Sequence, residues 1–245
     1  MLTYFPIEEN VLYDYVGEGH ESLTYTEFNS FINGTKVQRH LTSTIPSDYV
    51  LEFTDSEVKL VYSEIDNYFF QDYTDEERND GAVILKTPFK KGASWQYTAD
   101  VESTITSMDA DVEVPMGKYK AMEVTTDYGG GLLTRDYFVK DIGKVKSEQI
   151  GADGSVLTTS LKSLTKDVSS DTKFNIYYPD VDKDTYNPAE TTFSFRTNDN
   201  GFEKMQQLLK ASDGEHHGII SENTKINSAR ITRGEGINIL HLDLS

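Results

Sequence analysis

Alternation at period two constrains this chain more than any other feature. From residue 11 to residue 164 almost every patterned stretch puts Tyr, Phe, Val or Thr at every second position, as strands with one buried face require. The stretches are 11–15, 22–28, 35–42, 49–54, 57–64, 68–72, 94–101, 102–108, 119–127, 132–138, 143–150 and 156–164. Between them stand Asn33-Gly34, Asp80-Gly81, Gly129-Gly130-Gly131 and Asp153-Gly154, residues that tolerate positive φ and so close tight turns. Short strands at this spacing predict a curved antiparallel meander, half-barrel-like in outline.

Residues 6–15 and 88–97 carry a faint internal repeat. Both begin with a proline followed by an apolar residue, and both end in two aromatics on one strand face: Tyr13 and Tyr15 in the first, Trp95 and Tyr97 in the second. Shared turn chemistry at two strand starts accounts for this; so would two related half-sheets.

The pattern changes after residue 165. Residues 166–172, KDVSSDT, are small and polar and suit a linker between a β-rich domain at 1–165 and a smaller one at 173–245. In the latter, strands at 174–178 and 191–196 flank a polar loop. Phe202, Met205, Leu208 and Leu209 then recur at helical spacing, with Asn198, Asp199 or Asn200 available as a cap. Strands at 225–232 and 237–244 complete a β-β-α-β-β order, read as a four-stranded sheet under one helix. The fold class is therefore mainly β with a small α+β C-terminal domain.

Charge narrows the function. There are 41 acidic and 23 basic residues, a net −18, split about −13 over 1–166 and −5 beyond. Such a field repels nucleic acid and anionic lipid, and no Lys/Arg cluster reverses it locally. Cysteine is absent, which removes thiolate nucleophiles, zinc–thiolate sites and iron–sulfur clusters. No cofactor is implied.

FNIYYPD, TTFSFRT, FEKMQQLLK, NTKINSARI and the closing LHLDLS resemble the GerMN domain of sporulation and spore-germination proteins over about residues 172–245. The resemblance implies an exported, lipid-anchored envelope protein of a spore-forming bacterium, with a signal peptide and a lipid-modified cysteine upstream of this chain. It carries no catalytic residues. It implies partners among envelope proteins or cell-wall glycan, and self-association through the C-terminal domain. GerMN domains usually continue past the Asp-Leu-Ser strand, so the domain is expected to be cut short at Ser245. YFPIEENVLYDY, VEVPMGKYKAMEV and DYFVKDIGKVKSEQIGADG resemble β-rich bacterial lipoprotein regions, similar in outline to lipoprotein-carrier half-barrels.

Candidate sites are few. Trp95, Tyr97, Tyr13 and Tyr15 could form an aromatic platform for sugar rings, although aromatics at period two more often pack a sheet face. Asp180, Asp182 and Asp184 open like a calcium loop, but Thr185 and Thr191 stand where its glycine and bidentate glutamate belong, which favours a solvated acidic loop. His216-His217 and the acidic pairs Asp109/Asp111 and Glu76/Glu77 lack the spacing of metal or glycosidase sites. The sequence therefore reads as a non-enzymatic binding or assembly module. Its alternative is a carrier holding a lipid or other apolar ligand in the concave face of the first domain.

Overall fold

The computed structural model of the chain describes residues 1–20, 23–180, 185–211, 218–233 and 238–245, with the backbone alone at 174, 179–180, 186, 229–233 and 238–240. Twelve strands form one antiparallel sheet: β1 Val11–Glu18, β2 Tyr25–Asn33, β3 Lys36–Thr42, β4 Ser47–Phe53, β5 Glu57–Ile65, β6 Val83–Lys86, β7 Ser94–Thr98, β8 Val101–Val114, β9 Gly117–Asp127, β10 Leu133–Val139, β11 Gly143–Ile150 and β12 Val156–Lys166. Their order is β6-β5-β4-β3-β2-β1-β12-β11-β10-β9-β8-β7. Two six-stranded meanders thus join where β1 pairs with β12, Tyr15 opposite Leu161. The expected half-barrel is instead a barrel closed but for one seam, between the edge strands β6 and β7. There the indole of Trp95 donates to the Val83 carbonyl at 2.8 Å, tying the edges by a side chain. Residues 6–15 and 88–97 lead into β1 and β7, the first strand of each meander.

The structure differs from the sequence reading at two strands. Residues 68–72 form no strand: Phe69 and Phe70 are consecutive and both buried, which no strand facing a single core allows. The segment lies along the outside of the sheet, where Tyr73 N donates to Gln38 Oε1 (2.7 Å) and Gln38 Nε2 to the Gln71 carbonyl (2.8 Å). Strand β6 has only four residues, VILK, and its first three belong to the unbroken apolar run AVIL, so alternation could not reveal it.

After β12, residues 167–169 separate the sheet from β13 Ser170–Asp180, which pairs with β14 Thr185–Phe195. Helix α1, Gly201–Lys210, follows; Asn200 caps it, its side chain accepting from Glu203 N at 3.1 Å. Strands β15 Ile226–Arg233 and β16 Asn238–Leu244 pair separately. The expected four-stranded sheet is therefore two two-stranded ribbons, both reached by α1: Lys204 Nζ donates to the Ser194 carbonyl (2.8 Å), and Gln206 Oε1 accepts from Ile226 N (2.9 Å).

This C-terminal region shares a core with the barrel. Phe193, Phe195, Met205, Leu209 and Ile226 are buried together with Phe28 and Phe31 of β2 and with Phe69 and Phe70. The Phe70 and Phe195 rings stack 4.2 Å apart. Thr197 and Asn198 extend the contact in hydrogen bonds, Thr197 Oγ1 to the Asn29 carbonyl (2.7 Å) and Asn198 N to the Ser30 carbonyl (2.9 Å). Gly201 packs so closely that a Cβ there would meet the Phe70 carbonyl at 2.3 Å. Because the core is continuous, Phe195→Ala is expected to destabilise the barrel as well, by about 3–5 kcal/mol. Urea unfolding followed by fluorescence of Trp95, the single tryptophan, checks this: an unshifted midpoint would show that the two parts unfold separately.

Candidate site in the barrel interior

Strand direction sorts the barrel's ends. Residues 4–7 lie at the end carrying the β2–β3, β4–β5 and β6–β7 turns and close it. The Phe5 ring packs on Phe53 (5.4 Å) and Phe138 (6.4 Å), Tyr4 packs on Phe89 (5.2 Å), and Asp141 N donates to the Thr3 carbonyl at 2.7 Å. Above this plug lies a cavity of about 400 Å³ that opens toward the opposite end. Phe5, Leu51 and Phe138 line its floor, Leu60, Ile84 and Val124 its walls, and Leu41, Tyr97 and Tyr128 lie toward the mouth. Around that mouth Ile45, Ile65, Tyr128, Leu132 and Val156 are exposed, Ile65 to 71%.

Polar groups cross the cavity floor. On β3, Val37, Arg39 and Leu41 point inward, and the Arg39 guanidinium meets Glu27 of β2 at 2.9 Å with both side chains buried. Arg39 Nε also donates to Asn29 Oδ1 (3.0 Å), and the guanidinium faces the rings of Phe5 (4.8 Å) and Tyr13 (5.0 Å). This cation is thus held by two hydrogen bonds and packed against two aromatic rings. Burial works against its charge, but Tyr49, Glu27, Tyr13 and Tyr15 around it hold its proton more firmly than usual. Burial, with Glu27 next, raises the hydroxyls of Tyr15, Tyr25 and Tyr49 well above the ordinary tyrosine value, so they remain protonated donors.

A second pair comes from the other meander. Asp136 of β10 and Lys144 of β11 line the cavity with Nζ 4.0 Å from Oδ1, an ion pair too long for a hydrogen bond. Burial opposes the Lys144 charge, and Asp136, then Glu27 and Tyr49, raise its pKa overall. Asp136 Oδ1 is buried and makes no hydrogen bond, alone among the described buried side-chain polar atoms.

The aromatics singled out in the sequence all lie on the inner face but on strands across the barrel from each other. Tyr13 and Tyr15 are buried in β1, and Tyr15 donates to the Lys144 carbonyl at 2.8 Å. Trp95 is buried at the seam; Tyr97 lines the cavity with its ring 6.0 Å from that of Tyr128. Its hydroxyl is pushed up to about 12, by burial first and then by Tyr128. The four do not make one exposed platform. Asp182, Asp184 and the His216-His217 pair lie outside the described residues, and Asp180 is described in its backbone alone. Asp109, Asp111, Glu76 and Glu77 are exposed, and Asp111 pairs with Lys120 at 2.7 Å.

The sequence reading missed Glu27, Arg39, Asp136 and Lys144. One signal was present: Arg39 occupies the apolar face of its own strand, between Val37 and Leu41, and Glu27 alternates with Tyr25 on the neighbouring strand. Opposite charges at inward positions of adjacent strands mark a buried pair. Lys144 could not be placed this way, because a bulge at Tyr137/Phe138 shifts the register that points it inward.

No protein-family model matches the sequence, and no curated protein matches it. Among solved structures, the chain is similar to a protein from Bacteroides fragilis described as exported with a YmcC-like fold, at 12% identity and a TM-score of 0.37, over 67% of this chain and 99% of that one. It is similar to the same degree to a protein from Parabacteroides distasonis described as a lipoprotein, at 12% identity and a TM-score of 0.37, over 66% of this chain and 98% of that one. Neither description says what is bound.

Leaving Glu27 buried without its partner is costly, so Arg39→Met is expected to lose about 3–5 kcal/mol of stability. The double variant with Glu27→Met is expected to regain most of that loss. Chemical denaturation of the wild type, Arg39→Met, Glu27→Met and the double variant checks it; equal losses in Arg39→Met and the double variant would contradict it.

Proposed function

We propose that this chain is a non-catalytic, extracytoplasmic binding protein that holds a small, largely apolar molecule in its barrel interior. The observation that carries this reading is the cavity itself. It falls within the usual range of small-molecule sites, about 300–1,000 Å³, with apolar walls and a few convergent polar groups. The exposed apolar residues around the mouth would meet such a molecule before the interior does. The GerMN-like C-terminal segment supports placement in a bacterial envelope, on a lipid anchor, with a link to sporulation or germination.

The probe that tests it is N-phenyl-1-naphthylamine, an uncharged dye whose emission rises in apolar surroundings. The wild-type chain is expected to bind it saturably. Ile84→Trp, which fills the cavity from β6, is expected to weaken binding at least about tenfold, or 1.4 kcal/mol, while thermal unfolding stays close to wild type. Equal binding by both proteins would place the dye elsewhere and remove the support.

A second reading rests on the C-terminal ribbons. Two-stranded ribbons leave unpaired edges, and Tyr177 on β13 is 58% exposed, so this region suits assembly with envelope proteins or with another copy of the chain. Light-scattering mass across a concentration series tests self-association. Dimers or larger species that Tyr177→Lys disperses are expected if it is correct, and a monomer throughout would count against it.

A further inference from the structure

Resting on the cavity reading, we infer that the bound molecule has an uncharged head that both donates and accepts a hydrogen bond, a hydroxyl or primary amide, seated between Asp136 and Lys144.

The charges inside the cavity sort into two sets. Glu27 and Arg39 are 2.9 Å apart and satisfied by each other, by Asn29 and by the flanking rings, so they offer a ligand little. Asp48 also borders the cavity, but its carboxylate accepts from Gln38 (3.0 Å), His40 (3.2 Å) and Asn67 on the outer side of the sheet. Asp136 and Lys144 differ: they stand 4.0 Å apart with Oδ1 unpartnered, and an acceptor left unsatisfied in this way costs the fold stability that a ligand donor would restore. One oxygen atom placed between them can lie about 2.8 Å from each, accepting from Nζ and donating to Oδ1.

Only certain heads do both. A hydroxyl donates once and accepts twice, and a primary amide divides the two roles between nitrogen and oxygen. An ammonium head satisfies Asp136 but meets Lys144 as a like charge; a carboxylate head does the reverse. Each charged head would also have to be stripped of water in a site whose own charges already cancel. Tyr25, Tyr97 and Tyr128 stand between this pair and the mouth, giving the rest of the molecule an aromatic and apolar path outward.

Competition against the bound dye tests this with decanol, decylamine and decanoate, which share a chain and differ in the head. Wild type is expected to prefer decanol by at least about tenfold over both charged probes. Asp136→Asn leaves Lys144 unopposed and is expected to move the preference to decanoate; Lys144→Met is expected to move it to decylamine. A purely structural role for the pair would weaken all three probes together and leave their order unchanged. Equal competition by the three, or an order unmoved in both variants, would overturn the head assignment. That outcome fits a water molecule between the two side chains, and it leaves the cavity reading intact if Ile84→Trp still blocks the dye. Failure of the dye and of all three probes to bind would overturn both.

Discussion

The pairing of β1 with β12 is the contact on which the rest of the molecule depends. Each meander by itself is a set of local hairpins whose inner aromatics would face water. Joining their first and last strands wraps twelve strands around a common interior. It brings Tyr13 and Tyr15 of one meander against Leu161, Val145 and Val139 of the other. It also brings β2 to β4 and β10 to β11 within electrostatic reach, which is why Lys144 responds to Glu27 and Tyr49 as well as to its neighbour Asp136. Closing the ends of so long a chain of contacts is entropically costly. The reward is one core in place of two exposed sheet faces.

Polar groups inside that core narrow how the sheet can be arranged. Arg39 sits opposite Asn29 on one side and Tyr49 on the other, and its guanidinium uses Glu27, Asn29, Phe5 and Tyr13 together. A slip of one residue in β3 would turn it to the outer face and bring Gln38 and His40 inward, away from Asp48, Asn67 and Gln71. The outer and inner networks therefore specify the same register from opposite sides. The outer one also fixes the segment bearing Phe69 and Phe70, which carries the C-terminal region.

Much of the fold was legible in the sequence because alternation and turn dipeptides are local signals. The strands around Asn33-Gly34 and Asp153-Gly154, and the helix with Met205 and Leu209 on its buried face, emerge where the pattern puts them. Closure was not legible, since nothing local in β1 or β12 says that they pair from opposite ends of the sheet sequence, Val11 opposite Lys166. Residues 68–72 have the composition of a strand yet serve as a cover, a role set by the hydrophobic surface beneath them rather than by their own pattern. The cavity was the least accessible feature. It arises from what the floor residues leave unfilled, and of the charged residues that border it only Arg39 and Glu27 interrupt an apolar face that the sequence displays.

The segment at residues 4–7 has a consequence for traffic through the barrel. With Tyr4 and Phe5 wedged among Phe53, Phe89 and Phe138, the interior is a blind tube. Anything that occupies it must enter and leave by the same opening, and displaced water must pass the incoming molecule in the opposite direction. Entry and exit then share one passage, so its width beside Tyr97 and Tyr128 limits how fast the interior can turn over its contents.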